Sequence, residues 1–65
     1  MTIRQEIRTL RAALKRHRVD QTALADSAGI HKATVSRILR GKQMPSAETF
    51  LAMQTAAYRL IPKAA

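Results

Sequence analysis

The spacing of small and apolar residues between Gln21 and Arg40 is the feature that most constrains the fold of this chain. Two helices that cross at about 90–120° through a turn of about 3–4 residues need a small side chain at the crossing. The turn itself favours glycine, which adopts positive φ without strain. Ala25 and Gly29 meet these two needs. The apolar residues that attach such a pair to the rest of a domain are Leu24, Ile30, Val35 and Ile38.

This pattern is typical of a helix-turn-helix, in which the second helix enters the major groove of DNA. Any two short amphipathic helices joined by a glycine satisfy part of the same pattern. On the motif alone, an ordinary small helical bundle therefore stays open as the alternative.

The length of 65 residues leaves room for one domain, residues 1–65, with a small hydrophobic core. The chain has no cysteine, so we expect neither disulfides nor a zinc site, and no cofactor. His17 and His31 lie far apart and have no acidic partner at ligand spacing, so no metal site is expected. The four carboxylates do not combine with a nucleophile and a base into a catalytic site. We therefore expect that the protein is not an enzyme.

The net charge of +8 predicts a partner that is a polyanion, either nucleic acid or an anionic membrane surface. Phe50 and Tyr58 are the only aromatic residues, which argues against single-strand binding on stacked aromatic side chains. Duplex DNA fits this composition best. The apolar runs are too short for a membrane span and no secretory signal is visible, so we expect a cytoplasmic protein.

Local signals predict four helices and no strands, hence an all-α fold. Thr2 and Gln5 have the form of a capping box that begins a first helix with an apolar face at Ile3, Ile7, Leu10 and Leu14. Asp20 is a good N-cap for a second helix that ends near Ala28. The third helix is predicted from Lys32 to Arg40.

Gly41 is predicted to stop the third helix, and Ser46 is a natural N-cap for a fourth. The core face of this fourth helix is predicted to comprise Phe50, Met53, Ala57 and Leu60. Pro62 is expected to end the helix near Ile61.

Three further features resemble the lambda-repressor-like, Cro/XRE-type helix-turn-helix family. They are the polar pair Asp20-Gln21 before the second helix, the loop from Arg40 to Ser46 and the run 46–51 that opens the fourth helix. The resemblance implies a compact domain of four to five helices that binds an inverted repeat in duplex DNA as a homodimer.

The chain departs from this family pattern in two places. Leu39 stands where many members carry a glutamate, so we expect packing in place of a polar contact. The sequence also stops soon after Leu60, where larger members continue into further helices or domains. We therefore expect no pocket for a small-molecule effector and no self-cleaving domain.

The outward face of the third helix carries the candidates for contacts with bases. Arg37 is the strongest, because arginine bonds bidentately to guanine O6 and N7. Ala33 suits a thymine methyl, but it is equally well explained as a good helix former. The predicted base-contacting residues are Lys32, Ala33, Ser36 and Arg37.

Contacts with phosphates are expected from the rim of the same surface. Gln21 resembles the backbone-contacting glutamine of the family. His31 is predicted to cap the third helix or to touch phosphate, although a turn residue without function explains it equally well. The predicted phosphate-contacting residues are Gln21, His31, Thr34, Arg40, Lys42 and Gln43.

The residues expected at a dimer interface are Tyr58, Leu60 and Ile61. The alternative, which is the stronger one for Leu60, is packing against the first helix within one subunit. The sequence thus predicts a sequence-specific regulator, most simply a Cro-like repressor or autoregulator of a phage or mobile-element operon. Two other interpretations remain: an antitoxin or other protein-interaction module, and a membrane-surface peptide, which would not need capped helices.

Overall fold

The computed structural model describes residues 2–61, which form four helices and no strand. These are α1 (Ile3–Arg16), α2 (Gln21–Ala28), α3 (Lys32–Leu39) and α4 (Ala47–Leu60). The predicted all-α fold is confirmed. The third helix ends one residue earlier than predicted, and the predicted stop at Pro62 lies outside the described residues.

Side-chain caps begin three of the helices, as their sequences predict. The capping box of α1 is complete: the Gln5 N–H donates to Thr2 Oγ1 at 3.2 Å, and the Thr2 N–H donates to Gln5 Oε1 at 3.0 Å. The Thr22 N–H donates to Asp20 Oδ1 at the start of α2. At the start of α4, the Thr49 N–H donates to Ser46 Oγ. Each cap satisfies N–H groups that have no partner within the helix.

The predicted turn of the motif is present. Gly29 has φ of 72°, and the N–H of the next residue, Ile30, donates back to the Ala25 carbonyl at 3.0 Å. The same geometry closes α3, where Gly41 has φ of 76° and the Lys42 N–H donates to the Arg37 carbonyl at 2.9 Å. A helix that ends in this way satisfies its last carbonyls and redirects the chain sharply.

One core holds the four helices together. Its most deeply buried large side chains, Leu24, Val35, Ile38 and Met53, have no measurable exposure. Leu39 is also buried, at 4% exposure, in agreement with the expectation that packing replaces a polar contact there. The buried residues are Ile7, Leu10, Leu14, Leu24, Ala25, Val35, Ile38, Leu39, Phe50, Met53, Ala56 and Ala57.

Some predicted core positions lie at the edge of this core. Ile3, Ile30 and Leu60 are only half-buried and pack against its outside. Ala56, which the sequence pattern did not single out, is buried. None of the helices within residues 2–61 combines the length and the apolar character that a membrane crossing requires.

Candidate nucleic-acid interface

Helix α3 divides into a buried side and an exposed side. Val35, Ile38 and Leu39 face the core, which leaves the opposite side of the helix to solvent. Three of the predicted base-contacting residues, Lys32, Ala33 and Arg37, are exposed, whereas Ser36 is half-buried. The burial of the apolar side thus fixes which polar side chains α3 can present to a partner.

The guanidinium of Arg37 is held by two neighbours. Its Nε donates to Gln43 Oε1 at 2.9 Å, and its Nη2 donates to Thr34 Oγ1 at 3.3 Å. A guanidinium carries five N–H donors, so three remain for a ligand. Thr34 lies one turn before Arg37 on α3, and Gln43 reaches it from beyond the turn at Gly41. The structure therefore brings together three of the predicted site residues.

The start of α3 differs from the starts of the other helices. His31 occupies the N-cap position, but its side chain makes no cap hydrogen bond. The prediction that the His31 side chain caps the helix is therefore wrong, and the residue is exposed to solvent. The first N–H groups of α3 have no acceptor from this residue, and they point out of the helix end.

The turn that follows α3 carries two cations. Arg40 and Lys42 are both exposed, and Arg40 Nε donates to the Ser36 carbonyl at 3.4 Å. Neither α3 nor residues 40–43 contain a carboxylate. All formal charges on the exposed surface formed by α3 and this turn are thus positive, which suits an anionic partner.

The family comparison fits this geometry. A family model described as helix-turn-helix, of the Cro/C1 type, matches residues 10–56, from the middle of α1 to near the end of α4. The chain belongs to this helix-turn-helix family. Its members are regulators that bind double-stranded DNA and are generally not enzymes. Neither the curated proteins nor the solved structures yielded a match to the chain.

In helix-turn-helix proteins, the second helix of the motif is the recognition helix, and the first crosses the DNA backbone. The corresponding helices of this chain are α3 and α2. Gln21 is the first residue of α2 and is half-buried. The carboxylate of Asp20 already accepts the Thr22 N–H at this helix end. A phosphate near Gln21 would therefore approach a helix start that an acidic side chain partly occupies, and the amide of Gln21 is the neutral donor available there.

Helix α4 of this helix-turn-helix domain exposes two large apolar side chains. Tyr58 is 81% exposed, in keeping with a place outside the core, whereas Leu60 and Ile61 are half-buried against it. Leu51 is 62% exposed and lies seven residues before Tyr58, on the same side of the helix. Sequence reasoning missed Leu51, although the seven-residue spacing of two apolar residues outside the core pattern is a signal for such a face.

Proposed function

We propose that this protein is a sequence-specific transcriptional regulator that binds an inverted repeat as a homodimer. The observation that carries the proposal is the guanidinium of Arg37, which is exposed on the recognition helix and held by two side chains. A donor group fixed in advance loses less conformational entropy when it binds a base. Such a group suits direct readout of one base pair.

The proposed readers of base edges are the outward residues of α3. Arg37 bonds a guanine through its free N–H groups, and Lys32 reaches a guanine or a neighbouring phosphate. Ala33 packs against a thymine methyl, and Ser36, which is half-buried, contributes least. These residues occupy the part of the helix that enters the major groove.

The proposed phosphate contacts surround the recognition helix: Gln21, His31, Thr34, Arg40, Lys42 and Gln43. Arg40 and Lys42 act by charge, and Gln21 acts through its amide. Thr34 and Gln43 have a further role in this proposal, because both accept hydrogen bonds from Arg37 and so orient it.

The homodimer is proposed to form through the exposed face of α4, where Tyr58 and Leu51 offer apolar surface. Leu60 and Ile61 border this face. The two recognition helices would then lie one duplex turn apart, about 34–36 Å. In this proposal the protein is a single domain over residues 1–65 that acts in the cytoplasm. It represses transcription by occupying a promoter and so excluding polymerase. A Cro-like autoregulator of a phage or mobile-element operon acts in this way.

Selection from a random duplex pool, followed by binding measurements on Arg37→Ala, tests the proposal. We expect the wild type to enrich an inverted repeat. Arg37→Ala should lose about 1–3 kcal/mol of binding free energy and relax its preference at one position. Arg59→Ala, an exposed arginine on α4, is the matched control and should keep the motif. Recovery of no motif by the wild type would refute sequence-specific readout.

A double-mutant cycle separates the two roles of Gln43. If Gln43 acts by orienting Arg37, then Gln43→Ala should weaken discrimination at the same base position as Arg37→Ala. It should then cost little in the Arg37→Ala background. A pure phosphate contact would instead give the same loss in both backgrounds and leave base preference unchanged.

The exposed face of α4 also favours a second candidate function, in which the protein blocks a toxin or another protein partner. Tyr58 and Leu51 would then contact that partner rather than a second copy of the chain. Sedimentation of the wild type and of Tyr58→Ala distinguishes the two. Self-association that Tyr58→Ala weakens favours the homodimer, whereas a monomer at all concentrations and on DNA favours the protein partner.

A further inference from the structure

A basic cleft lies between α1 and the turn that follows the recognition helix. It has a volume of about 360 Å³, and its apolar floor includes Ile7 and Leu39. Five cations line it, and we call it the arginine cleft. They are Arg4, Arg8, Arg11, Arg40 and Lys42.

The arrangement of charges in the arginine cleft is unfavourable without a ligand. Arg4 and Arg8 are four residues apart on α1, and Arg11 follows after three more, so the three side chains share one side of the helix. Like charges at these spacings destabilise a helix. Glu6 lies between Arg4 and Arg8 in sequence but is not among the lining residues, and no other carboxylate is. An anionic ligand would remove this repulsion.

We propose that the arginine cleft binds the phosphate groups of duplex DNA beyond the base pairs that α3 contacts. The inference rests on the DNA binding proposed above and extends it to α1. Arg40 and Lys42 line the cleft and are also among the phosphate contacts proposed above, so a duplex bound in that way would pass close to the cleft.

The chemistry of the lining residues favours phosphate diesters. Guanidinium groups bind phosphate oxygens through paired N–H donors, and duplex DNA carries one negative charge for about every 1.7 Å of its axis. A row of arginines along α1 matches such a row of charges. The contact reads no base, so it adds affinity and salt dependence without changing sequence preference.

The test compares two double variants that remove the same charge. Arg4→Gln with Arg8→Gln changes the cleft, and Arg16→Gln with Arg59→Gln changes two exposed arginines outside it. Glutamine preserves much of the side-chain length and a similar helix propensity. Thermal unfolding of both variants checks that the fold is retained.

The readout is the slope of log Kobs against log salt for one operator duplex. Each lost phosphate contact lowers the magnitude of that slope by about 0.9, so the cleft variant should lose about 1–2 units. Its selected DNA motif should remain that of the wild type. The control variant should keep the wild-type slope. Equal slopes for the two double variants would overturn the inference.

Shortening the duplex tests whether the phosphates bound by the arginine cleft belong to the flanking DNA. When the flanks of the duplex are trimmed to the bases that α3 contacts, the wild type and the cleft variant should converge in slope. A difference that persists on the trimmed duplex would overturn the assignment to flanking DNA. Failure of the wild type to select any motif would contradict the sequence-specific function instead. The slopes of the two double variants on a long duplex of arbitrary sequence would then still show whether the cleft contacts phosphates.

Discussion

Helices α1 and α3 begin and end in opposite ways. Helix α1 begins with a complete capping box at Thr2, whereas α3 begins at His31 without a side-chain cap. After α1 the chain passes through Arg18, a non-glycine residue with φ of 56°, whereas after α3 it passes through Gly41 with φ of 76°. Local sequence signals thus stabilise the start of α1 and the end of α3, but not the end of α1 or the start of α3.

The difference shows what stabilises each helix. Isolated helices shorter than about 12–15 residues are marginal in water, so α3, with 8 residues, depends on its packing. Its buried side, formed by Val35, Ile38 and Leu39, supplies that packing. Helix α1 has 14 residues and a full cap, and it tolerates a strained residue just beyond its end. The start of α3, which faces the proposed DNA, carries the fewest local constraints.

The largest expected effect comes from removing the packing beneath α3. Ile38 has no measurable exposure, so Ile38→Ala should destabilise the domain by about 2–5 kcal/mol, enough to unfold much of a protein this small. Urea unfolding followed by circular dichroism measures the loss. Leu51→Ala, which truncates an exposed side chain on α4, should change stability little. A loss below about 1 kcal/mol for Ile38→Ala would mean that packing does not hold α3.

The sequence predicts the helix boundaries well because short-range chemistry determines them. The caps at Thr2, Asp20 and Ser46, and the positive φ of Gly29, each depend on residues within a few positions. Burial at the edges of the core was predicted less well. Leu60 has the right spacing for the core face of α4, yet it is half-buried, because its exposure depends on what lies opposite it in three dimensions.

A smaller effect, of opposite sign, is expected at the end of α1. Arg18 adopts the left-handed conformation, and the Val19 N–H donates to the Leu14 carbonyl at 2.8 Å. A non-glycine residue in this conformation costs about 1–2 kcal/mol. Replacing it with glycine removes this cost, but part of the gain is lost because glycine raises the conformational entropy of the unfolded chain. Arg18→Gly should therefore stabilise the domain by about 1 kcal/mol.

Arg16→Gly is the matched control for this prediction, because it removes the same charge from the last helical position of α1. It should destabilise the domain by up to about 1 kcal/mol, as glycine does within helices. Thermal unfolding at a single ionic strength compares both variants. The explanation by backbone strain fails if both substitutions shift the midpoint in the same direction.

The candidate site could be predicted only in part from the sequence. The exposed residues of α3 follow from its periodicity, because Val35 and Ile38 define the inward side. The hydrogen bond between Arg37 and Gln43 joins residues on either side of the turn at Gly41. It therefore follows no helical spacing that the sequence could reveal. The arginine cleft is still less accessible to sequence reasoning, since it forms only when α1 packs beside residues 39–44.

The smallest expected effect concerns the open start of α3. Serine is a far better N-cap than a side chain that makes no cap hydrogen bond, so His31→Ser should raise stability by about 0.5–1 kcal/mol. Thermal unfolding of both variants at one pH and one ionic strength measures the change. His17→Ser, at the C-cap of α1, is the control and should leave stability nearly unchanged. A gain for His31→Ser alone would show that α3 gives up local stability at the end that faces the proposed DNA. The absence of a gain would instead indicate that water already satisfies those N–H groups. The two helix starts would then be equivalent in stability, and α1 and α3 would differ only in the residues that follow them, Arg18 and Gly41.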